Sequence, residues 1–101
     1  MLFRSLIRAE KPVTLSIEGL YPNPTEQKVN VVVGAPSRDK LTLVVTDVSG
    51  RKLIERIVSV DAGTNTIPLD VEAFSNGTYI VRVICSNNNC ENVTGKFVKQ
   101  R

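Results

Sequence analysis

The sequence predicts an all-β fold, an antiparallel β-sandwich of about seven strands in a single domain. Three observations predict it. Apolar residues, mostly Val, Ile and Leu, alternate with polar ones in short runs, and β-branched side chains suit the pleated strand. Clusters of Gly, Pro, Asn, Asp and Ser interrupt these runs at intervals of roughly 8–14 residues. No segment carries a helical period longer than one turn, for which 70–75 is the candidate. A chain of 101 residues buries roughly two-thirds of its unfolded surface, enough for one core.

Residues 1–12 show no period and read as a linker or an upstream remnant, which assigns the sandwich to 13–101. Val13, Leu15 and Ile17 alternate with Thr14, Ser16 and Glu18, and Gly19 is expected to end this first strand. Tyr-Pro-Asn-Pro follows at 21–24. Proline has no N–H and pushes the residue before it toward extended geometry, so this segment predicts a rigid crossover between the two sheets. Val29, Val31 and Val33 alternate with Lys28 and Asn30 in a second strand, and the 34–39 segment "GAPSRD" is a loop. Residues 41–60 form the clearest hairpin, bent at Ser49-Gly50, where glycine supplies the positive φ of a tight turn. "DAGTN" turns the chain again. Thr66, Ile67 and Leu69 then make a short strand whose Pro68 marks a sheet edge. Asn76-Gly77 opens a strand over 78–84, and Val93 to Lys99 is the last.

Composition argues against several functions. Between Tyr21 and Cys90 seven basic residues face seven acidic ones, so the body is neutral and the net +3 charge resides at the ends. Nucleic-acid binding predicts a basic stripe with aromatics on a folded face, which five aromatics and a balanced body do not supply. Histidine is absent, which removes the usual general base and the Ser-His-Asp and Cys-His arrangements. The carboxylates stand singly and no glycine run cradles a phosphate. Asp47, Asp61 and Asp70 lie near strand ends, where a calcium site is conceivable, but turn aspartates ordinarily satisfy backbone amides. The chain is therefore expected to be non-catalytic, without cofactor or metal. It has no apolar run long enough to span a bilayer and no signal-peptide core at its start. It is thus either cytoplasmic or part of a longer exported protein.

Cys85 and Cys90 in "VICSNNNCENV" are the two cysteines. If a hairpin turns through 86–89, a disulfide spans its base, stabilising by roughly 2 kcal/mol in the chain-entropy model. That pairing is favoured here, with an oxidising compartment. Two separate thiols are the alternative.

The order of the turn signals adds a resemblance. "LYPNPTEQKVNVVV", "VTDVSGRKLIE", "GTNTIPL", "FSNGTYIVRV" and the closing "GKFVKQR" together resemble the C-terminal sorting domain of the type IX secretion system. By position the resemblance covers the motif residues Tyr21, Pro22, Asn23, Pro24, Asp47, Gly50, Gly63, Asn65, Gly77 and Tyr79. Arg51 or Lys52 takes the basic part after Gly50. The signal strand is Gly95, Lys96, Phe97, Val98, Lys99 and Arg101. The resemblance implies an immunoglobulin-like sandwich that directs an upstream cargo domain through the periplasm to the cell surface or beyond. The implied partners are an outer-membrane secretion translocon and a sortase-like peptidase, with no nucleic acid and no transmembrane segment. The basic residues at 96, 99 and 101 are expected to steer the last strand toward an acidic groove.

Two other functions compete. A sugar- or protein-binding module of an extracellular enzyme needs an exposed aromatic platform. There is no Trp, and Tyr21, Tyr79, Phe74 and Phe97 occupy positions expected in the core. A structural stalk would predict internal repeats, and none occurs.

Overall fold

The computed structural model describes residues 14–85 and 92–101. Seven strands, β1 (Ser16–Tyr21), β2 (Lys28–Ala35), β3 (Asp39–Asp47), β4 (Lys52–Val60), β5 (Gly63–Asp70), β6 (Gly77–Cys85) and β7 (Val93–Lys99), form two antiparallel sheets. One has the order β1-β2-β5 and the other β4-β3-β6-β7. Alternation explains the layering. Val29, Val31, Val33 and Ala35 of β2 face inward against Leu41, Leu43 and Val45 of β3, and Val81 and Val83 of β6 complete the facing layer. Burying each such aliphatic side chain stabilises by about 1.5–3 kcal/mol. Ile67 and Leu69 enter the same core on either side of Pro68. Pro68 lies on the edge strand β5, where its missing N–H interrupts no ladder.

The structure departs from the sequence reading at the first strand, the proline segment and Tyr21, and at two strand ends, where β2 extends to Ala35 and β5 begins at Gly63. The first strand does not stop at Gly19: it runs to Tyr21, and a bulge between Ile17 and Gly19 shifts its register against β2. The bulge lets Ile17 and Leu20 both pack against the core, which strict alternation forbids. The proline segment is not a crossover, because β1 and β2 pair in one sheet and the segment is the loop between them. The crossings between sheets fall instead at β2–β3, β4–β5 and β5–β6. After Asp70 the chain makes a single turn, as the sequence predicts for 70–75, closed by the Phe74 N–H donating to Val71 C=O at 3.0 Å. Finally, Tyr21 is not a core residue: it is 51% exposed.

Antiparallel pairing places the connections at two ends. One end collects the β1–β2 loop, the β3–β4 turn, the β5–β6 segment and the close of β7. The other collects the β2–β3 loop, the β4–β5 turn and the start of β1.

Candidate recognition site

The last strand borders the four-stranded sheet, paired on one side with β6 from Gly77↔Lys99 to Val83↔Val93. Its alternation is strict. Phe97 and Lys99 point inward and are buried, while Lys96 and Val98 point outward and are exposed. Phe97 stacks on Tyr79, ring centroids 5.5 Å apart, and Phe74 meets Tyr79 at 5.0 Å. The strand is therefore anchored by an aromatic cluster worth more than its apolar area alone.

Lys99 differs from the expectation. Its side chain is 2% exposed, so it does not present charge on the surface beside Lys96 and Arg101. It lines a cavity of about 150 Å³ with Glu26, Gln27, Glu72 and Arg101 at the end of the sandwich. Glu26 and Glu72 share that lining with it.

The outer edge of β7 is held by the proline segment. Asn23 Oδ1 accepts from the Val98 N–H at 2.9 Å, and Asn23 Nδ2 donates to the Lys96 C=O at 3.3 Å. Two residues on, the Thr25 N–H donates to Val98 C=O at 2.9 Å and its C=O accepts from Gln100 N–H at 2.8 Å. Thr25 thereby forms a parallel bridge with Lys99. It is itself buried, with its hydroxyl bonded to the Lys28 carbonyl. The two prolines flank Asn23, whose side chain bonds the strand. A stiff backbone loses less entropy when it holds a side chain in place, which gives the prolines a structural purpose. Both X–Pro bonds are cis.

The remaining motif residues build turns. Asp47 ends β3, and its Oδ1 accepts from Ser49 N–H and Arg51 N–H at 3.0 Å and from Ser49 Oγ at 2.7 Å. Arg51 Nε lies 3.3 Å from its Oδ2. The Ser49 hydroxyl first, then the backbone N–H of Arg51, hold the Asp47 carboxyl below the ordinary carboxylate range. Gly50 takes φ +93° to close this turn. Lys52 pairs instead with Glu55 at 2.9 Å, which leaves Arg51 as the basic partner of Asp47. Asn65 performs the equivalent task at the opposite end, accepting from Asp61 N–H and donating to Asp61 C=O at 2.9 Å. Gly63, at φ +105°, makes that turn possible. Asp61 also pairs with Arg38, and Asp70 accepts from Glu72 N–H. These aspartates thus engage local partners, and no metal-binding cluster is found among the described residues. Gly77 opens β6, and the Tyr79 hydroxyl donates to Ser75 C=O at 2.6 Å.

Tyr21 to Pro24, Asp47, Gly50, Gly77 and Tyr79 therefore lie at the end where β7 finishes, while Gly63 and Asn65 lie at the other. Thr25 escaped the sequence reading because a lone threonine after proline carries no periodic signal. Gly95 owes its place to packing. A Cβ there would sit 2.9 Å from Leu20 Cδ1, so the Leu20 side chain would have to shift. Cys85 closes β6 and packs on the core; Cys90 and the turn before it lie outside the described residues.

No curated protein matches the sequence significantly. Among solved structures the chain is similar to a selenomethionine-labelled β-glucosidase from Kluyveromyces marxianus. The TM-score is 0.55 at 15% identity over 87% of this chain, which shows a shared fold alone. This chain spans 14% of that enzyme's length. The family described as "Secretion system C-terminal sorting domain" matches residues 19–100, starting just before Tyr21 and ending past the buried Lys99. The chain belongs to the family of type IX secretion system C-terminal sorting domains.

Proposed function

We propose that this domain carries its address in β7 and holds that strand ready at one end of the sandwich while cargo is attached at the other. Family membership makes it a sorting domain for export to the cell surface or outside. The finer reading rests on one observation. Two segments that are far apart in sequence, Asn23 and Thr25 on one side and Lys96 to Gln100 on the other, are joined by direct hydrogen bonds. Lys96, Val98 and Arg101 remain exposed there. An outer-membrane translocon reads this end, the cargo travels through the periplasm, and a sortase-like peptidase acts on the segment before β1. The domain itself contributes no chemistry.

The order β1-β2-β5 facing β4-β3-β6-β7, and the Tyr79 hydroxyl bonded four residues upstream, support an immunoglobulin-like sandwich. A disulfide between Cys85 and Cys90 belongs to the same proposal and suits an oxidising periplasm; a thiol-alkylating reagent should leave the native chain unlabelled. A sugar-binding role is disfavoured, since Tyr79 is in the core with Phe97 and no flat aromatic platform forms among the described residues.

The test is to fuse residues 13–101 behind a periplasmically exported reporter in a type IX-competent strain. Surface delivery is expected, and deletion of 95–101 should abolish it. Delivery that survives the deletion would remove β7 as the signal.

A further inference from the structure

The free edge of β7 is finished differently along its length. Strand alternation sends the N–H and C=O of residues 94, 96, 98 and 100 away from β6. Toward the chain end this edge is closed by the backbone of Thr25, from a buried position. In the middle it is closed by the side chain of Asn23, which is exposed. Toward the strand's start Thr94 pairs with Arg82 of β6, and no described strand lies on its outer side.

A carboxamide has the same donor and acceptor as a peptide unit. Asn23 sets them against Lys96 C=O and Val98 N–H, where a neighbouring strand would set its own. We propose that Asn23 is a removable plug on an edge built for strand addition. A partner contributes an extended segment that pairs with β7 over residues 94–98, displaces the Asn23 carboxamide, and leaves Thr25 in place. This rests on the reading of β7 as the export signal and names what reads it. The partner is an unpaired strand with a carboxylate opposite Lys96 and an apolar side chain opposite Val98, which is 37% exposed.

The exchange is balanced. Two hydrogen bonds to Asn23 are replaced by two to the partner's backbone, and the peptide groups at 94 and 96 gain partners besides. Phe97 and Lys99 stay buried throughout, so recognition requires no unfolding of the core.

The experiment uses the full-length cargo in a type IX-competent strain and compares Lys96→Ala with Lys96→Pro. Both remove the ammonium. Only proline removes the outward N–H, and it does so on the edge that β6 does not use. Surface delivery of Lys96→Pro should fall to about one-tenth that of Lys96→Ala or lower, at similar melting temperature. Equal delivery overturns the proposal. If the proline variant melts low, Asn23→Ala decides. An unplugged edge should export at least as well as the parent and exchange its Val98 amide faster. Lost export from a normally melting Asn23→Ala domain would make Asn23 part of what is read, and overturn the plug. Deletion of 95–101, run in parallel, separates the two levels. Export after deletion removes the signal strand itself, whereas blocked export with equal Lys96 variants removes strand addition alone.

Discussion

The two border strands of the four-stranded sheet solve the same problem by opposite means. An unpaired edge invites another strand, and a protein must blunt it. β4 does so with its own residues. Its run Lys52 to Arg56 carries three charges, with Lys52 paired to Glu55, Leu53 is the extra residue of a bulge opposite Val45 and Thr46, and Ile57 stands 71% exposed. Arg56 reaches across to the Pro68 carbonyl at 3.1 Å, fastening this border to β5. β7 has no bulge and no acidic residue. It is covered by a segment 73–75 residues away in sequence. A border protected by its own charges is shut permanently, whereas one protected by a loop can be opened. This difference fits the proposal that β7 is the strand kept for use.

The largest expected effect comes from the inner face of β7. Phe97→Ala should destabilise the domain by about 3–5 kcal/mol, as for other fully buried aromatic truncations. Denaturant unfolding measures it. A loss below about 1 kcal/mol would mean that β7 is not anchored through its side chain and that the contrast with β4 is wrong.

Next comes the turn that joins β3 to β4, which sits at the same end. The Asp47 carboxyl is held below its ordinary value by the Ser49 hydroxyl and the Arg51 N–H. A depressed pKa contributes stability above the unfolded value of about 3.9, and that stability is lost as pH falls through the lower folded value. Asp47→Asn should therefore melt below the parent at neutral pH, and the two should converge in acid. A gap that persists unchanged below pH of about 2 would assign the effect to geometry rather than charge.

Much of this fold was legible because alternation reports which residues share a face. The boundaries of β7, the edge position of Pro68 and the hairpin at Ser49-Gly50 all follow from local pattern. Alternation does not report which of two sheets a strand joins. The proline segment was therefore misassigned as a crossover, though its stiffness was evident. The two chief residues of the site differ in legibility. Asn23 is a motif residue of the resemblance, but its bonds to β7 join segments that no local rule relates. Thr25 acts through its backbone, which leaves no trace in residue type. Lys99 read as exposed because lysine nearly always is. Its inward position follows from Phe97 two residues earlier, a parity that composition obscures.

A smaller effect is expected at the Tyr79 hydroxyl. Tyr79→Phe keeps the stack on Phe97 and removes the bond to Ser75 C=O, leaving a part-buried carbonyl without its donor. The loss should be about 1–2 kcal/mol by thermal or chemical unfolding. The substitution lies beside β7 but outside its edge, so export of a folded domain should continue. If export failed while the fold held, the surface that is read would extend beyond β7.

The smallest effect should come from β4. Ile57→Ser alters an exposed side chain with no buried contact to lose, so stability should shift by less than about 0.5 kcal/mol. Surface delivery should be unchanged as well. This near-zero result carries weight because Ile57 is far more exposed than Val98. If apolar exposure alone attracted the export machinery, β4 would be the better lure, and Ile57→Ser would cut delivery more than Val98→Ser. If hydrogen-bonding capacity along an openable edge is what counts, the order reverses. Reporter delivery for these two variants, normalised to the folded fraction of each, decides between a hydrophobic patch and a strand edge.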